Sequence, residues 1–241
     1  MSLLDVRDID SSYGRAQVLH GVSMTAEAGQ IVAILGRNGA GKSSTLKAIM
    51  QLLPPHRGRV TFRDTDVTGW PPYRVARTGI GYVPEDRRVF TQLTVRENLE
   101  VGRRPAGPNG PGWTEDALFD LFPNLAERRD APGRSLSGGE QQMLSVARTL
   151  MGNPALVLLD EPSEGLAPVI VSQMARAIAR LRDEGLTVVL SEQNLAFARA
   201  VSDRALVLDH GTVRFDGSFD ALEADPNIRD TYLSVSATST P

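Results

Sequence analysis

The chain has 241 residues, 41% of them hydrophobic and 23% charged, with a formal net charge of −3. That length supports one large α/β domain, or a core with a small inserted domain, without staples. The mild negative charge gives no bulk attraction for nucleic acid, and the lack of cysteine excludes disulfides, thiolate metal sites and a cysteine nucleophile.

The opening "MSLLDVRDID" has no basic start followed by an apolar run, so no signal peptide is expected. No apolar run approaches the roughly 18 residues of a membrane span, so a membrane role is expected to come through a partner. "IVAIL" (31–35) reads as a strand ending at Gly36, and "GKSSTLKAIMQLL" (41–53) as a helix stopped by Pro54 and Pro55. "RVTF" (59–62) and "GIGYV" (79–83) read as short strands. From about Val95 to Met151 the rhythm changes to a proline- and glycine-rich loop, "RRPAGPNGPG" (103–112), and helical patterns, so a helical insertion is expected.

"ALVLLDE" (155–161) is nearly all apolar, as a strand buried on both faces should be. "PVIVSQMARAIARLRDE" (168–184) starts with proline, places Ile170, Met174, Ile178 and Leu181 on one face, and is capped by Gly185. "TVVLSE" (187–192) and "RALVLDH" (204–210) are further strands, and "GTVRFDG" (211–217) begins with a hairpin-like turn. The polar end, "SVSATSTP" (234–241), is expected to be disordered. The β-α-β alternation predicts an α/β fold with a mostly parallel core sheet and helices on both sides.

Three stretches carry chemistry. "GRNGAGKS" (36–43) matches G-x-x-x-x-G-K-[ST] between a predicted strand and a predicted helix, the context that motif requires. Gly36, Arg37, Asn38, Gly39, Ala40, Gly41, Lys42, Ser43 and the following Ser44 would form a phosphate-binding loop. Its backbone N–H groups wrap phosphates, Lys42 reaches the β- and γ-phosphates, and Ser43 offers a hydroxyl to Mg²⁺. "LVLLDE" (156–161) ends in two carboxylates. Asp160 suits a Mg²⁺ partner and Glu161 a general base for the attacking water. "LSGGEQ" (136–141) has S-x-x-E spacing between Ser137 and Glu140, which a helix capping box explains. Capping does not require Gly138 and Gly139, each unfavourable by about 1 kcal/mol in a helix; close approach of a phosphate does.

A phosphate loop, then "LSGGEQ", then "LLDEP" (158–162) resembles the ATP-binding-cassette ATPases over nearly the whole chain. The resemblance implies a P-loop NTPase core (1–94 and 153–220) with an N-terminal antiparallel β part, a helical signature subdomain (95–152), and a C-terminal helix or turn with a flexible tail (221–241). It implies ATP and Mg²⁺ as cofactors and a head-to-tail pair of cassettes. Ser137, Gly138, Gly139 and Glu140 of one chain would then meet the nucleotide held by the other. Tyr13, in "SSYG", matches the aromatic that stacks on adenine. Glu85, in "YVPEDRR" (82–88), stands where glutamine usually faces Mg²⁺ and the membrane subunit. "PSEGLAP" (162–168) replaces the usual Leu-Asp-Pro ending by Leu166-Ala167-Pro168, and "LSEQN" (190–194) has Gln193 in place of the switch histidine.

These departures resemble the second ATPase of branched-chain amino acid importers, whose relatives handle urea or short amides. The partners implied are integral-membrane permeases, a second and non-identical cassette, and indirectly a periplasmic solute-binding protein. No nucleic-acid partner is expected. The implied location is peripheral, on the cytoplasmic face of the cell membrane, with the isolated chain soluble. Glu85 and Gln193 imply slow turnover by this chain alone. A soluble cassette protein acting in translation or DNA repair is the alternative. It is disfavoured by the single cassette and the absence of a long heptad run, and a P-loop kinase is disfavoured by "LSGGEQ".

Overall fold

The computed structural model describes residues 2–105 and 112–228. The expected disordered end, 234–241, and most of the loop 103–112 lie outside the described residues.

Strands β1 (Ser2–Tyr13) and β2 (Ala16–Glu27) form a long antiparallel hairpin. Leu4 and Val6 face inward, and then the phase slips to Ile9 and Ser11. A register shift between Val6 and Ile9 explains the slip, with Asp8 in the left-handed region at φ 46°. Strand β3 (Ile31–Leu35) begins a second sheet. Helix α1 (Lys42–Ile49) follows it, and β4 (Arg57–Phe62) and β5 (Thr65–Asp66) complete the first sheet in the order β2-β1-β4-β5.

Helix α1 is shorter than the pattern 41–53 predicts. Gln51 turns left-handed at φ 60°, and the N–H groups of Leu52 and Leu53 bond back to the Lys47 carbonyl at 2.8 and 3.1 Å. That closure ends the helix before either proline can.

Helix α2 (Pro72–Arg77) leads to β6 (Ile80–Val83). Between β6 and β7 (Leu156–Asp160) come the inserted helices α3 (Val95–Gly102), α4 (Glu115–Leu121), α5 (Pro123–Ala126) and α6 (Gly138–Leu150). Helix α7 (Pro168–Asp183), β8 (Thr187–Glu192), α8 (Leu195–Val201), β9 (Arg204–Asp209), β10 (Thr212–Gly217), α9 (Phe219–Ala224) and α10 (Pro226–Ile228) complete the described chain.

The second sheet runs β10-β9-β3-β8-β7-β6, parallel except for β10, which pairs antiparallel with β9. His210 and Gly211 turn that hairpin with φ of 45° and 71°, the mirror-image turn that suits strand twist. Every residue of β3, β7 and β8 is buried, as central strands with both faces covered should be. Alternate residues of β3 serve two cores. Val32 and Ile34 pack with Leu46, Ile49 and Phe62 on the side of the first sheet, whereas Ile31, Ala33 and Leu35 join the cluster of α6 to α8. The inserted helices share that second cluster through Val95, Leu99, Leu144 and Ala147.

The functional consequence lies at the carboxyl ends of β3, β7 and β8. These strands are neighbours, with Leu35 opposite Glu192 and Asp160 opposite Ser191. The loops that leave them therefore converge, the usual place for a ligand in an open parallel sheet.

Candidate functional site

The loop 36–41 leaves β3 and delivers Lys42 as the first residue of α1. Gly41 caps that helix at φ 107°, where a Cβ would come within 3.1 Å of Leu19 and 3.2 Å of Gly211. Only glycine makes the turn without strain there. The Lys42 side chain is 3% exposed. Its Nζ donates to the carbonyls of Gly36 (3.0 Å) and Arg37 (3.2 Å) and lies 3.1 Å from Glu161 Oε1.

Asp160 ends β7 almost fully buried. Its Oδ1 accepts from Ser43 Oγ and from Ser191 Oγ, each at 2.7 Å, and its Oδ2 accepts from the Tyr82 hydroxyl at 3.0 Å. A Ser43 hydroxyl that donates to Asp160 keeps its lone pairs free for a hard cation. Glu161, the next residue, turns left-handed at φ 47°, and its N–H donates to the Ser191 carbonyl (3.2 Å) and hydroxyl (3.0 Å). Its carboxylate Oε2 accepts from Gln193 Nε2 at 2.6 Å.

Lys42, Ser43, Ser44, Asn38, Gly39, Gly41, Glu85 and Glu161 line one cavity of about 390 Å³ together with Val18 and Glu164. Eight of the site residues read from the sequence thus meet in one place, and Asp160 and Gln193 join through their bonds to Ser43 and Glu161. Gly36, Arg37 and Ala40 belong to the same loop but do not line the cavity. Tyr13 lies at the tip of the β1–β2 hairpin, 48% exposed, and does not line it either.

None of residues 137–140 lines it. They start α6, where Ser137 and Glu140 form a complete capping box: Ser137 N–H donates to Glu140 Oε2 at 2.7 Å, and Glu140 N–H to Ser137 Oγ at 3.3 Å. Gly139 has a reason within the chain that the motif does not supply: a Cβ there would fall 2.7 Å from Ile170, whereas one on Gly138 would meet only the tip of the Arg87 side chain, which can swing aside.

The family model described as "ABC transporter" matches residues 19–164, more than half of the chain. The chain belongs to the ABC transporter family.

As an ABC ATPase it binds and hydrolyses ATP. It is 41% identical to a high-affinity branched-chain amino acid transport ATP-binding protein, BraG, of Pseudomonas aeruginosa, over 96% of this chain and 99% of that protein. It is 33% identical to the lipopolysaccharide export system ATP-binding protein LptB of Escherichia coli, over 97% of this chain and 98% of that one. Among solved structures it is similar to a nucleotide-free ATP-binding cassette from an ABC transporter, with TM-score 0.80 and 25% identity over 95% of this chain and 97% of the other. An ATP-binding subunit of an ABC transporter matches with TM-score 0.79 and 27% identity, covering 96% of each chain. No described helix is long and apolar enough to cross a membrane.

Four residues of the candidate site lie within the motif stretches without a role being legible there: Tyr82, Ser191, Glu164 and Glu192. Ser191 and Glu192 were legible only as polar residues closing an otherwise apolar strand, and Tyr82 only as a strand aromatic. Glu192 is buried, which pushes its carboxyl up, although it accepts from the N–H groups of Ser163 (3.0 Å), Gln193 (3.1 Å) and Asn194 (3.2 Å). It thereby ties the loop after Glu161 to the loop that carries Gln193.

Glu164 hydrogen-bonds the Glu161 carboxylate, and that bond, then desolvation and the charges of Glu161 and Glu85, raise its pKa to about 7. Burial opposes ionisation of Glu161, but hydrogen bonds from Glu164 and Gln193 and the charge of Lys42 outweigh it and hold Glu161 below the ordinary range. Below about pH 7 the pair therefore carries one proton, and it sits on Glu164.

A carboxyl whose pKa rises on folding favours the folded state below its ordinary value of 4.5, and the advantage fades as pH rises through about 7. Glu164→Gln keeps a hydrogen-bond donor and removes the titration. Melting temperature should then fall less steeply between pH 5 and 8 than in the parent. Parallel melting curves for the two proteins across that range would exclude the shared proton.

Proposed function

We propose that this ABC ATPase energises uptake of branched-chain amino acids through integral-membrane permeases. The observation that carries the reading is the 41% identity to the branched-chain amino acid transport protein across both full lengths, against 33% for the lipopolysaccharide export proteins. The three departures at Glu85, Ala167 and Gln193 support it, because together they resemble the second ATPase of such importers. On this reading the working pair is mixed, with a non-identical cassette as partner, a periplasmic solute-binding protein delivers the solute, and the chain lies peripherally on the cytoplasmic face of the membrane.

The residues fit MgATP. Backbone N–H groups of residues 36–44 would cradle the phosphates and Lys42 would neutralise them. Ser43, Asp160 and Glu85 would hold Mg²⁺. Mg²⁺, when bound, supplies charge neutralisation at the phosphates. Glu161, ionised and oriented by Gln193, accepts the proton of the attacking water. Gln193 donates a neutral hydrogen bond where a histidine could become cationic, so this chain alone turns over slowly. Ser137 to Glu140, presented by the helical segment 95–152, complete the site of the partner cassette, and Tyr13 stacks on adenine.

A groove of about 570 Å³ suits a permease segment. Its wall includes Leu52, Phe90 and Val101, which are 48%, 47% and 57% exposed, beside Arg88 and Arg148. Cells lacking the chain should lose high-affinity uptake of radiolabelled leucine, and the parent gene but not Glu161→Gln should restore it. Undiminished leucine uptake in the deletion strain would overturn the cargo assignment and leave the ATPase untouched.

A further inference from the structure

Tyr82 touches two places that nothing else among the described residues joins. Its hydroxyl donates to Asp160 Oδ2 at 3.0 Å, and the residue also lines the exposed groove with Met50, Phe90, Val101 and Arg148. Ser43 and Ser191, the other donors to Asp160, share the opposite oxygen and do not line the groove. Asp160 is 2% exposed, so without Tyr82 its Oδ2 would be a buried acceptor with no donor among the described residues, and only Oδ1 would stay held. Burial, then the charge of Asp160, push the Tyr82 hydroxyl well above its ordinary value, so it remains a donor.

We propose that Tyr82 is a positioning residue: its hydrogen bond fixes the orientation of Asp160 toward Mg²⁺, and its place in the groove wall lets the groove's occupant act on that orientation. The proposal rests on Asp160 as the Mg²⁺-facing carboxylate. It adds a path from the docking surface to the metal that runs through one hydroxyl. Groups that orient a metal-facing carboxylate typically change metal affinity by about 10–100-fold when removed.

The test is calorimetric titration of the purified chain with a non-hydrolysable ATP analogue, in Mg²⁺ and in EDTA, for the parent, Tyr82→Phe and Asp160→Asn. Tyr82→Phe should bind the analogue normally in EDTA and lose about tenfold of the tightening that Mg²⁺ confers, at the lower end of that range. Retention of the parent's ratio within about twofold by Tyr82→Phe, with the ratio lost in Asp160→Asn, would overturn the role of Tyr82. A normal ratio in Asp160→Asn would instead remove Asp160 as the Mg²⁺ partner, and the proposal with it. Val101→Trp, which fills the groove, should change the Mg²⁺ ratio in the parent and not in Tyr82→Phe; an equal change in both would overturn the link to the groove.

A readout in the unaltered Tyr82 background guards against misfolding of Tyr82→Phe. With ring-labelled tyrosine, the Tyr82 resonance, assigned by substituting the other three tyrosines, should move when Mg²⁺ joins the analogue. A resonance that stays fixed would count against the proposal.

Discussion

Glu161→Gln should slow ATP hydrolysis by roughly 10²–10⁴-fold while leaving MgATP binding near normal, the range expected when a general base is removed. The structure gives the reason for both halves. Glu161 is held below the ordinary carboxylate range, with Lys42 3.1 Å from one oxygen and Gln193 donating to the other at 2.6 Å. An amide of the same shape fills the same space but cannot take a proton from water. Its oxygen can keep Lys42, and its N–H₂ can donate to Gln193 once that amide flips to present its oxygen. Binding should survive because the loop 36–44 is untouched. The check is phosphate release beside an equilibrium nucleotide titration, and ATP-dependent dimers should accumulate on size exclusion. Turnover within a few-fold of the parent would place the base elsewhere.

Lys42→Ala should abolish tight ATP binding. Hydrogen bonds to charged groups contribute about 1.5–3 kcal/mol each, so losing contacts to two phosphates amounts to roughly 100–10⁴-fold in affinity. The substitution has a second effect. Lys42 is the buried counter-charge of Glu161, and removing one member of a buried pair can cost about 3–5 kcal/mol. Glu161 limits that loss by taking up a proton, so the melting temperature of Lys42→Ala should fall more above neutral pH than below it. Near-normal affinity in a nucleotide titration would remove the phosphate-loop assignment.

Gln193 shows how far a motif can be read. Its identity marks a departure from the family pattern, and that is visible in the sequence. Its hydrogen bond to Glu161 depends on β7 and β8 being neighbours in register, which a sequence of local patterns does not contain. The signature loop runs the other way. The S-x-x-E spacing predicts the capping box at Ser137 and Glu140, yet the steric reason for Gly139 requires the position of Ile170. The apolar pattern continues to Leu53 and predicts a longer α1, whereas a left-handed Gln51 and the bonds of Leu52 and Leu53 to Lys47 end it.

The sequence by itself determined the α/β class, the phosphate loop between β3 and α1, and the pair of acids at the end of β7. These follow from local causes: apolar periodicity, glycine's backbone freedom, and the fixed spacing between a strand end and the helix after it. Only the tertiary structure decided which groups share a proton, which hydroxyls hold Asp160, and that Tyr82 joins the groove to that carboxylate. Those facts depend on the lateral order β3-β8-β7-β6, which brings the carboxyl ends of distant segments together. A hydrogen bond or pKa shift between such segments acts over a few ångströms in space, and separation along the chain carries no trace of that distance.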